Sequence, residues 1–165
     1  MFETNTASCG GFAGISDSYG AALWALDYGF QMAYGNFTHA LMHIGGQNVY
    51  YNVRPFISTR INVDLVVQPF TSPPTNETSY NQWTVGGIYY ATIIIAEALG
   101  TTNTSQVVDL FGNNNNDFTP SYAIYENGQL SKVAIFNYVD DQTGASDSQV
   151  TLSVPAGVPS TVQVK

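Results

Sequence analysis

The sequence predicts an α+β fold made of two stretches of different texture, and three observations carry that prediction. Apolar residues recur at helical spacing in two segments of the first part of the chain. Beyond a change of texture near residue 102, short runs rich in Val, Ile, Tyr and Phe alternate with turn clusters. Within that second part, Glu126-Asn127-Gly128 stands between two apolar runs as a hairpin signal.

Taken in order, residues 3–16 are small and Gly-rich and read as a loop. Ser16-Asp17-Ser18 is an N-cap signal for a helix over Tyr19–Tyr34, where Leu23, Leu26, Phe30 and Ala33 share a face. Gly35-Asn36 ends it. Thr38–Ile44 reads as a buried strand that Gly45-Gly46 breaks, and Tyr50-Tyr51 follows in a loop or strand end. Residues 69–82 are rich in Pro, Thr, Ser and Asn, the composition of a long surface loop. A second helix is expected over Thr84–Leu99 with Gly100 just past its end. Ile93-Ile94-Ile95 predicts burial on more than one of its faces. Strands are expected from Gln106 onward, notably Ser121–Tyr125, Lys132–Tyr138 and Gln149–Val154, with Ser160–Lys165 a strand cut short. Asn113–Asn116 reads as a polar loop.

Composition narrows the function. A chain of 165 residues suits one domain or two small ones. Charged residues are only 10%, so solubility leans on Asn, Gln, Ser, Thr and Tyr, a profile common in secreted proteins that handle sugars. Four Lys and Arg against twelve acidic residues, a net charge of -8, exclude a phosphate backbone or an anionic membrane surface as partner. The single cysteine, Cys9, allows no internal disulfide. Three N-glycosylation sequons occur, at Asn36, Asn76 and Asn103, and favour a secreted protein. Met1–Asn5 has neither the basic nor the apolar region of a signal peptide. Ile88–Leu99, the longest apolar stretch, is too short to span a bilayer.

Glu3 by itself is an acidic residue near a terminus. Its context changes that reading. Glu3-Thr4-Asn5-Thr6-Ala7-Ser8-Cys9-Gly10-Gly11 resembles the nucleophile segment of glycoside hydrolase family 79, the β-glucuronidase and heparanase-like enzymes. The similarity continues in order through Gly20–Tyr28, His43–Asn52, Pro69-Phe70-Thr71, Gln82–Gly86 and Tyr89-Tyr90. Tyr122-Ala123-Ile124-Tyr125 and Phe136-Asn137-Tyr138 look like that family's C-terminal sandwich. The resemblance implies the last one to two β/α units of a (β/α)8 barrel over 1–102, then a truncated antiparallel β-sandwich over 103–165.

The same resemblance implies a retaining hydrolase acting on terminal β-linked glucuronic acid in glycans, extracellular for the family's full-length members. Such enzymes use two carboxyl groups about 5 Å apart. By the match Glu3 is the nucleophile. Gly10 and Gly11 offer backbone N–H groups to the sugar carboxylate, and Tyr50 adds a hydroxyl donor. Some relatives carry Tyr where this chain has Ser8. No metal or other cofactor is implied.

The family's acid/base glutamate lies in an Asn-Glu-Pro segment, and this sequence contains none. Glu77, Glu97 and Glu126 have the wrong surroundings: beside a sequon, within a helix and in a hairpin turn. The chain by itself is therefore expected to be an inactive fragment. Residues 53–68, carrying Arg54 and Arg60, interrupt two matching blocks. They read as a translated intron, with a genuine loop as the alternative. His39 and His43 lack a third ligand at metal-site spacing. Trp24 has the spacing of a packing residue, and Trp83 could stack on a sugar. A second class of function stays open at this level, in which the β-rich part is a carbohydrate-binding or structural module without catalysis.

Overall fold

A computed structural model describes residues 3–12, 14–16, 18–42, 87–154, 157 and 159–164. Tyr50, Trp83, His43, Asn76, the 53–68 interruption and the 69–82 loop lie outside the described residues. Two helices and a three-stranded sheet follow one another: α1 (Tyr19–Tyr34), α2 (Gly87–Leu99), β1 (Ser105–Asp109), β2 (Ser121–Glu126) and β3 (Gln129–Ile135).

Helix α1 has the bounds its periodicity predicts. Ser18 occupies the N-cap, but its hydroxyl donates back to the Ile15 carbonyl at 2.7 Å instead of capping the first turn. At the other end Asn36 takes a left-handed conformation, φ 58°. The Asn36 N–H donates to the Ala33 carbonyl, and the Phe37 N–H to the Met32 carbonyl. That double closure is a Schellman motif, with Asn in the position glycine usually fills. Helix α2 stops at Gly100, whose φ of 66° carries the chain out of the helix.

The helices meet through small residues. Ala21, Ala25 and Gly29 recur every fourth residue on α1 and face Ile88, Ala91 and Ile95 of α2. A Cβ placed on Gly29 would collide with the Ile95 δ-methyl. Ile93 and Ile94 point away from this contact and are about half exposed (46% and 48%). The expectation that the isoleucine run is buried on several faces therefore does not hold: α2 is covered by α1 along one stripe, and successive helical residues diverge by about 100°.

Strand β2 is central in the sheet order β1-β2-β3, antiparallel to both neighbours. Asn127 and Gly128 form the two-residue turn between β2 and β3, both with positive φ (51° and 74°), which suits the twist of the flanking strands. That turn starts β3 at Gln129, three residues before the predicted strand. A bulge after Ile124 leaves Ser131 without an opposite residue. Beyond β3 the Phe136 N–H still reaches the Pro120 carbonyl at 3.0 Å, and the Tyr138 N–H the Phe118 carbonyl at 2.8 Å.

One core joins helices and sheet. Phe30 of α1, Ala98 of α2, Val107, Tyr122, Ile124 and Phe136 are buried together. The rings of Phe30, Tyr122 and Phe136 lie 5.5–6.3 Å apart in tilted or edge-on pairs. Such pairs add roughly 0.5–1.5 kcal/mol each beyond area burial.

Among the described residues, three of the predicted strands form no ladder. Among the described part of 38–44, Thr38, His39 and Leu41 are exposed, and a single parallel bridge links Thr4 to Met42. Gln149–Val154 and the described residues of the 160–165 segment make no ladder. Their apolar side chains have β propensity, but a strand exists only when another edge pairs with it, and propensity alone does not supply one. The described residues thus hold one antiparallel sheet covered by helices, without the second facing sheet of a sandwich.

Candidate active-site loop

Glu3 precedes Thr4, whose N–H donates to the Leu41 carbonyl at 3.0 Å. This holds Glu3 exposed beside the 41–42 segment, at the entrance to the Gly-rich loop. The buried Ser16 hydroxyl organises that loop from within. It accepts from the Thr6 hydroxyl at 2.6 Å and from the Phe12 N–H at 3.1 Å. A hydroxyl can accept twice, so one serine ties both ends of the loop to the approach to α1.

Between those ties the backbone turns left-handed at Cys9, Gly10 and Gly11, with φ of 56°, 89° and 81°. Glycine suits two of these positions, while Cys9 carries a conformational cost of about 1–2 kcal/mol. The Gly11 N–H closes the turn on the Ser8 carbonyl at 3.1 Å, and Gly11 itself is buried. The loop therefore uses the Gly11 donor internally as it stands. Gly10 is half-buried next to exposed Cys9 and Ser8. Thus the structure puts Glu3, Gly10 and Gly11 on one tied loop.

Other carboxylates sit elsewhere. Glu126 forms an ion pair with the Lys132 ammonium at 3.7 Å and accepts from the Ser131 hydroxyl at 3.3 Å, on the surface near the hairpin. Glu97 is exposed on α2. His39 is exposed and shares a hydrogen bond with the Thr38 hydroxyl. Among the described residues no group of His, Cys, Asp and Glu could hold a metal. Among them, too, no helix is long and apolar enough to cross a membrane. Trp24 stacks on Tyr28 at 5.0 Å within α1, as its helical spacing implies.

A second polar constellation was not anticipated from the sequence. Asp27 and Gln31, one turn apart on α1, face the sheet. The Tyr122 hydroxyl donates to Asp27, and the Gln31 amide to Asp109 at 2.7 Å. The Tyr138 hydroxyl donates to the Leu23 carbonyl at 3.0 Å. Burial raises the Asp27 carboxyl above its ordinary value, against the opposing effect of the Tyr122 hydrogen bond and the nearby Tyr138 hydroxyl. Burial, together with the nearby Asp27 carboxylate, likewise raises both phenols. A signal was present: Asp27 and Gln31 interrupt an apolar helix at i, i+4, the spacing of one face. These groups join α1 to the sheet and border a polar cleft closed by Phe111 and Asn116.

Comparison with known proteins finds two relationships. Residues 121–165 match the family described as glycosyl hydrolase family 79 C-terminal beta domain. A beta-glucuronidase of Aspergillus niger (strain ATCC MYA-4892 / CBS 513.88 / FGSC A1513) is 28% identical over 146 residues, covering 88% of this chain and 23% of that enzyme. The chain thus spans about a quarter of the length of this relative. No solved structure matches it.

Proposed function

From the relationship of this chain to glycoside hydrolase family 79, we propose that it carries the nucleophile half of a retaining β-glucuronidase site. Its substrate would be terminal β-linked glucuronic acid in a glycan, and its compartment extracellular. Glu3 is the nucleophile, and Gly10, Gly11 and Tyr50 contact the sugar carboxylate, the Gly11 N–H after release from the Ser8 carbonyl that it holds in this structure. Backbone donors and a phenol can hold a uronate through hydrogen bonds to the charged group.

The observation that carries the reading is the Thr4–Met42 bridge. It is a single parallel bridge between residues that flank α1 in sequence, as the strands of a β/α/β unit do, and Glu3 directly precedes the bridged Thr4. Catalytic groups of (β/α)8 enzymes come from such strand ends. The second carboxyl is the missing part. The sequence has no Asn-Glu-Pro segment, and Glu97 and Glu126 lie on α2 and the hairpin. With no group to protonate the leaving oxygen, the chain alone should not turn over.

Two measurements test this. The purified chain and its Glu3→Gln variant should both leave a chromogenic β-glucuronide intact. Hydrolysis by the parent chain that the variant loses would overturn the incomplete site. The second is a chimera in which residues 1–165, without 53–68, replace the matched region of the Aspergillus niger enzyme. It should hydrolyse the β-glucuronide, and Glu3→Gln should abolish the activity. A folded chimera whose activity survives Glu3→Gln would remove Glu3 from the role.

A further inference from the structure

We propose that Asn36 and Asn103 carry N-linked glycans, each on a left-handed turn that presents the asparagine outward. Both head an Asn-X-Ser/Thr sequon with no Pro at the middle position: Asn36-Phe37-Thr38 and Asn103-Thr104-Ser105. Both asparagines are exposed, and both have positive φ (58° and 56°), a conformation Asn tolerates better than other non-glycine residues.

At Asn36 the backbone does the structural work. Its N–H donates to the Ala33 carbonyl and completes the closure of α1, so the side chain has no part in the cap. Asn103 lies in the turn between Gly100, which ends α2, and Ser105, which begins β1. There the Thr102 and Thr104 hydroxyls bond each other at 2.7 Å, and the Ser105 hydroxyl donates to the Leu99 carbonyl. Transfer acts on the chain before it folds, so those bonds do not oppose it. The fold has only to accommodate the product, which both exposed turns do.

The placement also suits the surface. Few charges keep this chain in solution, 10% of its residues. Beside Asn36, Phe37 and Leu41 are more than half exposed (55% and 51%). A bulky hydrophilic glycan there would shield an apolar strip. The sixteen residues of α1 separate Asn36 from the Gly-rich loop by about 24 Å along the helix axis.

The reaction requires a polyprenyl-pyrophosphate-linked oligosaccharide and the transferase of a eukaryotic secretory lumen. The Asn Nδ2 forms a bond to the anomeric carbon while the anomeric C–O bond breaks. The amide nitrogen gives up one proton, and polyprenyl pyrophosphate leaves. No electrons are gained or lost.

The test is translation of the full chain, behind a cleavable leader, with rough microsomes. The Asn76→Gln change silences the third sequon. Lumenal, protease-protected chains should show two glycan steps that peptide N-glycosidase removes, leaving Asp at 36 and 103 in peptide maps. Thr38→Ala should remove the first step and Ser105→Ala the second, with each Asn still present. A lumenal chain bare at either position overturns the assignment there. The readout is independent of Glu3, so it can fail while the proposed hydrolase site stands, and the reverse.

Discussion

The Tyr122 hydroxyl, on the central strand of the sheet, donates to the Asp27 carboxylate on α1 and ties helix to sheet across their shared core. Tyr122 is fully buried, so its hydroxyl has no water to turn to if this partner is lost. Tyr122→Phe keeps the ring contacts with Phe30 and Phe136 and removes only the donor. The expected loss is roughly 1–3 kcal/mol, the range for a hydrogen bond to a charged or desolvated group. Urea denaturation of the two chains measures it, and an unchanged midpoint would refute it.

Tyr28 should behave in the opposite sense. Its hydroxyl is buried and finds no hydrogen-bond partner among the described residues. Tyr28→Phe keeps the stack on Trp24 and removes a desolvated polar atom. It should leave stability unchanged or raise it by up to about 1 kcal/mol, because a buried group without a bond costs free energy. A destabilisation equal to that of Tyr122→Phe would show that the hydroxyl does have a partner.

Two aspartates set opposite pH dependences. Folding raises the Asp27 pKa from 3.8, so the native state keeps this proton to higher pH than the unfolded chain. Its stabilising contribution is complete below 3.8 and is lost as pH rises through the higher native value. Asp141 is lowered to about 2 by hydrogen bonds from the Thr143 hydroxyl and N–H and from Ser146. Its contribution is present above 3.8 and is lost as pH falls through about 2. Denaturation midpoints taken across the acid range should fall less steeply with rising pH for Asp27→Asn than for the parent. Identical pH profiles would refute the Asp27 assignment.

The Gly29–Ile95 approach sets how closely the helices lie. Gly29→Val should destabilise the chain by about 1–3 kcal/mol through overpacking. Adding Ile95→Ala should recover part of that loss, with a coupling of roughly 0.5–3 kcal/mol between contacting positions. Additive effects in this double-mutant cycle would mean that the two residues do not limit the approach.

Local chemistry determined what was legible in the sequence. The bounds of α1, the Gly100 stop after α2 and the Asn127-Gly128 hairpin depend on periodicity and on left-handed positions that few residues accept. The ordered motifs from Glu3 to Tyr138 likewise resemble family 79; residues 121–165 match that family's C-terminal beta domain, and a 28% identical beta-glucuronidase aligns with 88% of the chain. What pairs with what is not local. Val150 and Leu152 have strand chemistry but no partner edge among the described residues, and Ile93 and Ile94 are apolar yet exposed because α1 covers a different stripe of α2. The Asp27–Tyr122 link joins residues 95 positions apart, and nothing in either neighbourhood names the other. Only the tertiary structure decided these, because burial and hydrogen bonding depend on which surfaces meet, whereas helix ends and tight turns depend on the φ each residue can adopt.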